Sequence, residues 1–272
     1  MGVNRREFLK LAGLSALAGL GANSAWELLA PGSLDAAEQK FGAFEQALTG
    51  SRWGMIVDME KFNDELIRAA IDACHSTHNV PHIEGIKEEV KWIWTEPFQN
   101  VFPETEHGYL TEHLEDVPFI VLCNHCFNPP CVRVCPTKAT FKRKKDGIVM
   151  MDMHRCIGCR YCMAACPFGA RSFNFSDPRK HLDMDKVNPD YPTRSKGVVE
   201  KCNFCAERLA VGKIPACVEA IGDSGALAFG DVGNAESEVR EILRDNYTIR
   251  RRAQLGTQPN VYYIIRSRGS HA

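Results

Sequence analysis

The sequence has almost no net charge, because 33 Lys and Arg stand against 34 Asp and Glu, a formal balance of −1. A general attraction to nucleic acid or to anionic lipid is therefore not expected, although local basic patches remain. No apolar run reaches the ~20 residues that a bilayer-spanning helix needs. Gly-rich nucleotide loops, flavin motifs and Ser/His/Asp constellations are also missing, so the chain shows no signature of substrate turnover. What is left is 272 residues with 44% hydrophobic and 25% charged content, enough to bury a core and unlike a disordered or collagenous chain.

Cysteine, by contrast, is plentiful, with 12 in all. Eight lie in two runs, Cys123-x2-Cys126-x4-Cys131-x3-Cys135-Pro136 and Cys156-x2-Cys159-x2-Cys162-x3-Cys166-Pro167. The second has the bacterial ferredoxin spacing, and the first carries two extra loop residues around Pro129 and Pro130. Three closely spaced thiolates wrap one face of a cubane, while the fourth, followed by Pro, points to the neighbouring cluster. The spacing thus assigns Cys123, Cys126, Cys131 and Cys166 to one [4Fe-4S] cluster, and Cys156, Cys159, Cys162 and Cys135 to its partner. A zinc ribbon uses two CxxC pairs and has no role for a Cys-x3-Cys-Pro tail. Disulfides between so many close cysteines would demand a more irregular miniature scaffold than this long chain implies. His125, inside the first run, is expected to hydrogen-bond or face solvent, since thiolates already complete the site. Arg133, Lys138, Arg155, Arg160, Arg171, Lys201 and Arg208 lie next to ligand cysteines and can offset cluster charge, with about half expected simply to face solvent.

The N-terminus reads Asn4-Arg5-Arg6-Glu7-Phe8-Leu9-Lys10 followed by an apolar stretch from Leu11 to Ala22, the pattern of a twin-arginine export signal. Cleavage near Ala22, Ser24, Ala36 or Ala37 and retention as an anchor both stay open. Beyond it, the pattern predicts a short helix over 34–49, a strand over 53–58, and a helix carrying Phe62, Leu66, Ile67, Ala70, Ile71 and an inward Cys74. His75, His78 and His82 lack metal-like spacing and are expected to be surface or structural. Trp92, Trp94, Phe98 and Phe102 read as core. Residues 117–122 form a strand leading into the first run, and 140–143 pairs with 148–152 across Asp146-Gly147. The Lys142-Arg143-Lys144-Lys145 run at that tip is expected to be solvated, or to dock an acidic partner.

A return strand is predicted over 170–175 and a loop over 177–197. Cys202-x2-Cys205 then leads a short helix stopped by Gly212, followed by Cys217 and a strand over 226–229. Asn234 is a candidate cap for a helix running to about Arg244, and 261–265 reads as a strand or docking segment.

The cysteine runs make the chain resemble the four-cluster electron-transfer subunits of dimethyl sulfoxide reductases and respiratory nitrate reductases, over nearly the whole chain beyond the signal. In that family the first and last runs exchange their fourth cysteines. Here Phe62 stands where the first run would begin, only Cys74 remains of it, and Ile221 replaces the last cysteine of the final run. The resemblance therefore implies a lost fourth cluster and a third one held by Cys202, Cys205, Cys217 and Cys74, with Asp223 the nearest alternative ligand. Twelve cysteines in sets of four leave no spare thiol.

The strings at 87–98, 123–136, 147–175, 188–205 and 259–265 are closer still to the DsrO-like periplasmic subunits of membrane redox complexes associated with dissimilatory sulfite reduction. That likeness implies an α+β fold of tandem bacterial-ferredoxin-like units with hairpins, short helices and long loop insertions. The expected segments are a signal region (1–36), half of an outer cluster unit (37–116), a central two-cluster domain (117–176) and a segment completing the outer unit (177–272). Implied partners are an integral membrane quinone-reactive subunit and a multihaem cytochrome c, with membrane association through them and a periplasmic location. A hydrogenase, polysulfide or formate complex could use the same relay. A catalytic reductase and a colourless zinc- or disulfide-stabilised module are more distant alternatives.

Changing Arg5 and Arg6 together to Lys is expected to block export and leave cluster-loaded protein in the cytoplasm, because the pair addresses the exporter rather than building the fold. Cell fractionation checks it, and normal export of the variant refutes it.

Overall fold

A computed structural model describes residues 44–105, 114 and 117–265. The chain divides into two units, Met1–Glu45 and Gln46–Ala272. The twin-arginine segment lies outside the described residues, as does most of the helix expected over 34–49; residues 46–49 are irregular rather than helical.

In chain order the elements of the second unit begin with β1 (Trp53–Asp58), α1 (Asp64–Thr77), β2 (Ile93–Glu96), α2 (Phe98–Val101), β3 (Phe119–Leu122), α3 (Pro130–Arg133), β4 (Thr140–Lys142) and β5 (Val149–Met151). They continue with α4 (Tyr161–Ala164), β6 (Ser172–Phe173), β7 (Val199–Glu200), α5 (Ala206–Ala210), α6 (Ala216–Ala220), β8 (Leu227–Asp231), α7 (Glu238–Asp245), β9 (Thr248–Ile249) and β10 (Val261–Ile264). The fold is thus mixed helix and strand.

A four-stranded sheet in the order β8-β1-β10-β9 joins segments from both ends of the unit. β1 runs antiparallel to β8, with Met55 opposite Phe229, and parallel to β10, with Met55 opposite Val261. Every residue of β1 is buried because both faces of the strand are covered. Met55 and Val57 enter the main core with Trp92, Phe102 and Tyr263, whereas Ile56 packs with Val232, Val239 and Ile264 beneath α7. The expected strand or docking segment at 261–265 is therefore an interior strand. Phe98, Phe102, Phe119 and Tyr263 meet in tilted and edge-on contacts, with Phe102 and Tyr263 centroids 5.4 Å apart, which confirms the aromatic residues as core.

Local chemistry sets the element ends. Asn63 Oδ1 accepts from the Leu66 N–H at 2.8 Å, so α1 begins at Asp64, and its buried face carries Ile67, Ala70 and Cys74 against α6. The helix after Asn234 begins only at Glu238. Asn234 does not cap it; its Oδ1 accepts from Glu236 N–H at 3.0 Å and shapes the preceding turn. The expected strand over 170–175 contracts to β6, which pairs with β7 and so links the two sides of the 177–197 excursion. At the β4–β5 tip, Lys142 Nζ donates to Phe127 O at 2.8 Å and Arg143 pairs with buried Asp146, leaving only Lys144 and Lys145 of the basic run fully exposed. No helix of the described residues is long and apolar enough to cross a membrane.

Asp231 ties the start of β1 to the end of β8, accepting from the backbone N–H groups of Ser51, Arg52 and Gly233, each at 2.8 Å. Partial burial pushes this carboxyl up, but the three N–H donors outweigh it and hold it below the ordinary carboxylate range. A folded-state value below the unfolded ~3.9 gives stability that is present above that pH and is lost as pH falls through the folded value. Asp231→Ala should cost about 1 kcal/mol at neutral pH, discounted for solvent screening. Denaturation of both proteins across pH checks this: the difference should hold above about pH 4 and shrink below it.

Candidate metal centres

None of the twelve cysteines is in a disulfide. They fall into three groups of four. Cys123, Cys126, Cys131 and Cys166 line one cavity, and Cys135, Cys156, Cys159 and Cys162 line another. In each, three thiols come from one run and the fourth from the other, so the runs cross over. Cys74, Cys202, Cys205 and Cys217 form the third group and are all buried.

The loops that present these thiols share a turn. The residue before the second cysteine of the leading CxxC pair in each run, His125, Gly158 or Phe204, has a left-handed backbone, with φ of 41, 70 and 55°. Successive N–H groups around such a turn point into a concavity suited to an anion. In the third group the turn residue itself reaches sulfur, Phe204 N–H donating to Cys202 Sγ at 3.5 Å, and neighbouring elements supply further donors: Val199 N–H of β7 to Cys156 Sγ at 3.5 Å, Ala216 N–H of α6 to Cys205 Sγ at 3.4 Å and Thr140 N–H of β4 to Cys135 Sγ at 3.4 Å. Gly158 is fixed twice over, because a Cβ there would sit 2.5 Å from Gly197 O as well as in a strained conformation.

Electrostatics points to a cationic guest. Burial pushes the Cys74 thiol well above its ordinary value, and the neighbouring Cys202, Cys217 and Cys205 push it further. Burial also raises Cys126 and Cys217 to about 12 and moves Cys202, Cys205, Cys162 and Cys166 the same way. For Cys135, burial acts upward but the Thr140 N–H and the Thr137 hydroxyl prevail and hold the thiol low. Thiols grouped in this way give up their protons to a metal that supplies compensating charge. Polar side chains without partners stand by as well: the Asn124 amide and Arg171 Nη2 are buried, have no hydrogen-bond partner and belong to residues lining the first cavity. Four sulfur donors with surplus N–H groups suit a sulfide-bearing iron cluster, so the residues fit that group.

The groups are strung together. Cys123 of the first is close enough to Cys202 of the third to help push the Cys202 thiol up, after burial, and between these loops His125 stacks on Phe204 at 3.7 Å. His125 is thus buried rather than exposed; its Nδ1 accepts from Val149 N–H at 3.2 Å. Cys131 of the first group in turn acts on Cys162 of the second. Of the ligand-adjacent cations, Arg133, Lys138, Arg155 and Arg160 are exposed, Arg171 and Lys201 are buried, and Arg208 pairs with Glu219.

Around the third group the structure adds residues that no spacing revealed. His78 Nε2 lies 2.7 Å from Glu207 Oε1, its Nδ1 lies 2.8 Å from Cys74 O, and its ring stacks on Trp92. His78, Cys205 and Glu207 bring possible metal-ligating atoms within 4.8 Å of one another, but the carboxylate is already engaged by His78 and Asn203, which makes it a brace for the cysteine loop. Behind it, buried Glu200 accepts from Trp92 Nε1 at 2.7 Å and from Asn174 at 2.6 Å and pairs with buried Arg194, which donates to His78 O. Asn79 and Asn188 interlock through side chain and backbone and pin the excursion beside Cys74. The side chain of Asp223 lies outside the described part.

Residues 117–182 match the 4Fe-4S dicluster domain family, so iron–sulfur clusters are the cofactor class. The chain is 43% identical to the Hdr-like menaquinol oxidoreductase iron-sulfur subunit 1 of Archaeoglobus fulgidus, over 96% of this chain and 97% of that protein. It is 37% identical to the menaquinone reductase iron-sulfur cluster-binding subunit of Nitratidesulfovibrio vulgaris, over 79% of this chain and 89% of the other. With protein NrfC of Escherichia coli it shares 34% identity over 80% and 82% of the two chains.

Cys74→Ala should disturb only the third group, since the other eight thiols belong to the two central groups. Iron should fall by about one to four atoms per chain, with a three-iron signal if the site stays partly filled. Iron analysis and electron paramagnetic resonance (EPR) check it, and unchanged iron with an unchanged four-iron spectrum would show that Cys74 is not needed.

Proposed function

Because the chain belongs to the family of 4Fe-4S iron–sulfur subunits of quinol oxidoreductases, we propose that it relays single electrons through three [4Fe-4S] clusters between a quinone-reactive integral membrane subunit and a multihaem cytochrome c. The ligand sets are Cys123, Cys126, Cys131 and Cys166; Cys156, Cys159, Cys162 and Cys135; and Cys202, Cys205, Cys217 and Cys74. The observation that carries this reading is the succession of three four-thiol groups, third to first to second, from fully buried Cys74, Cys202, Cys205 and Cys217 to exposed Cys159.

When bound, each cluster takes up and returns one electron. The chain's own contribution is spacing, insulation and charge. α1, α5 and α6 close the third group away from water, and the His125–Phe204 stack fills the gap toward the first. At the other end Ile157 and Tyr161 flank Cys159 and are 67% and 63% exposed, an apolar rim beside exposed Arg133, Lys138, Arg155 and Arg160. That end offers the short path to a partner.

The finer reading is a twin-arginine-exported, periplasmic subunit of a sulfite-reduction-associated complex. It is supported by the Arg5-Arg6 signal and by the strings at 87–98, 123–136, 147–175, 188–205 and 259–265. In this reading residues 37–116 and 177–272 form one outer cluster unit around the central 117–176 domain, a tandem arrangement supported by the β1–β10 pairing.

Purified chain should contain about 12 iron atoms and show a brown absorption that bleaches on reduction. The intact complex should yield a membrane subunit that reacts with quinones and a multihaem c-type subunit. About four zincs in place of iron reject the cluster reading; full iron with other partners rejects only the proposed complex.

A further inference from the structure

Arg171 precedes β6 and is 4% exposed. Its Nη1 donates to Thr140 Oγ1 at 3.1 Å and lies 3.9 Å from Met151 Sδ, both neutral groups on the β4–β5 hairpin. Nη2 has no partner, and among the described residues no carboxylate pairs with the guanidinium. Buried Arg194, by contrast, has Glu200. A buried, uncompensated guanidinium is costly, so its place needs an anion. The anions at hand are the sulfur sites: Arg171 lines the cavity of Cys123, Cys126, Cys131 and Cys166 and stands beside Cys131 of that group and Cys162 of the other.

We propose that Arg171 is a shared positioning residue of the two central sites, a fixed positive charge between them that favours an added electron on either and raises both potentials together. Two features make the sharing specific. The guanidinium is a planar fork that can address two acceptors at once, which an ammonium on a flexible stem does not reproduce. Thr140 holds one arm of the fork, so the free Nη2 end is left for the sulfur sites. The guanidinium itself is buried, which leaves its charge less screened than at the surface. The sulfurs that act on Arg171 are Cys131, Cys162 and Cys123 and none of the third group, so the third potential should not depend on it.

The proposal rests on the relay reading and is tested on the full chain by redox titration followed by EPR, with iron content measured in parallel. Arg171→Gln should keep its iron and shift both central signals to lower potential, while the third signal stays in place. Both central potentials unchanged, or only one moved, overturns the proposal. If the glutamine variant fails to load iron, Arg171→Lys decides: keeping the charge but losing the fork, it should pull the two central potentials apart, and two unmoved potentials overturn the shared role. Failure of the relay reading is distinguishable, because it shows in the unsubstituted protein as missing four-iron signals, whatever residue 171 is.

Discussion

Sulfur binds iron as thiolate, yet a thiolate is least stable where this chain places most of its thiols, away from water. That conflict shapes the rest of the molecule. Each group gathers four sulfurs, and donors surround them: backbone N–H groups from turns and from neighbouring elements, the Thr137 hydroxyl, and buried cations. The turns require residues that tolerate positive φ, and the sheet and helices serve to hold the ends of those loops. Without a cationic guest the arrangement would be a set of buried, crowded thiols with little to recommend it energetically.

Burial is graded along the chain of sites, and the grading separates two roles. Around the third group, braces such as His78–Glu207 and Arg194–Glu200 knit segments that are distant in sequence, and water is kept out. Around the second group, the loop carrying Cys159 comes to the surface with apolar and cationic neighbours. One end is closed off from solvent and the other opens to it.

Much of this was legible in the sequence because metal ligation is encoded in short spacings. The two central groups follow from the C-x2-C and C-x3-C-P intervals, which are local and survive any arrangement of the remaining chain. Cys74 was legible only by resemblance, since nothing near it in sequence differs from an ordinary buried helix cysteine. Helix and strand limits were misjudged where a polar side chain had a better local use. Asn234 shapes a turn instead of capping a helix, and Asp146 draws Arg143 inward from a tip that composition alone marks as solvated. The interior position of β10 was hidden because its apolar run reads the same for an edge, a docking segment or a central strand. Long-range braces such as Asn79–Asn188 join residues over a hundred positions apart and leave no pattern to read.

The parallel pairing of β1 with β10 also sets an order of construction. Everything needed for the central pair of groups has been synthesised once Cys166 and the β6–β7 pairing have emerged, whereas β1 must wait for a strand that comes much later in the sequence, Met55 lying opposite Val261. Non-local pairings of this kind close last. A chain cut short before Val261 would leave β1 with an open edge inside what should be the core.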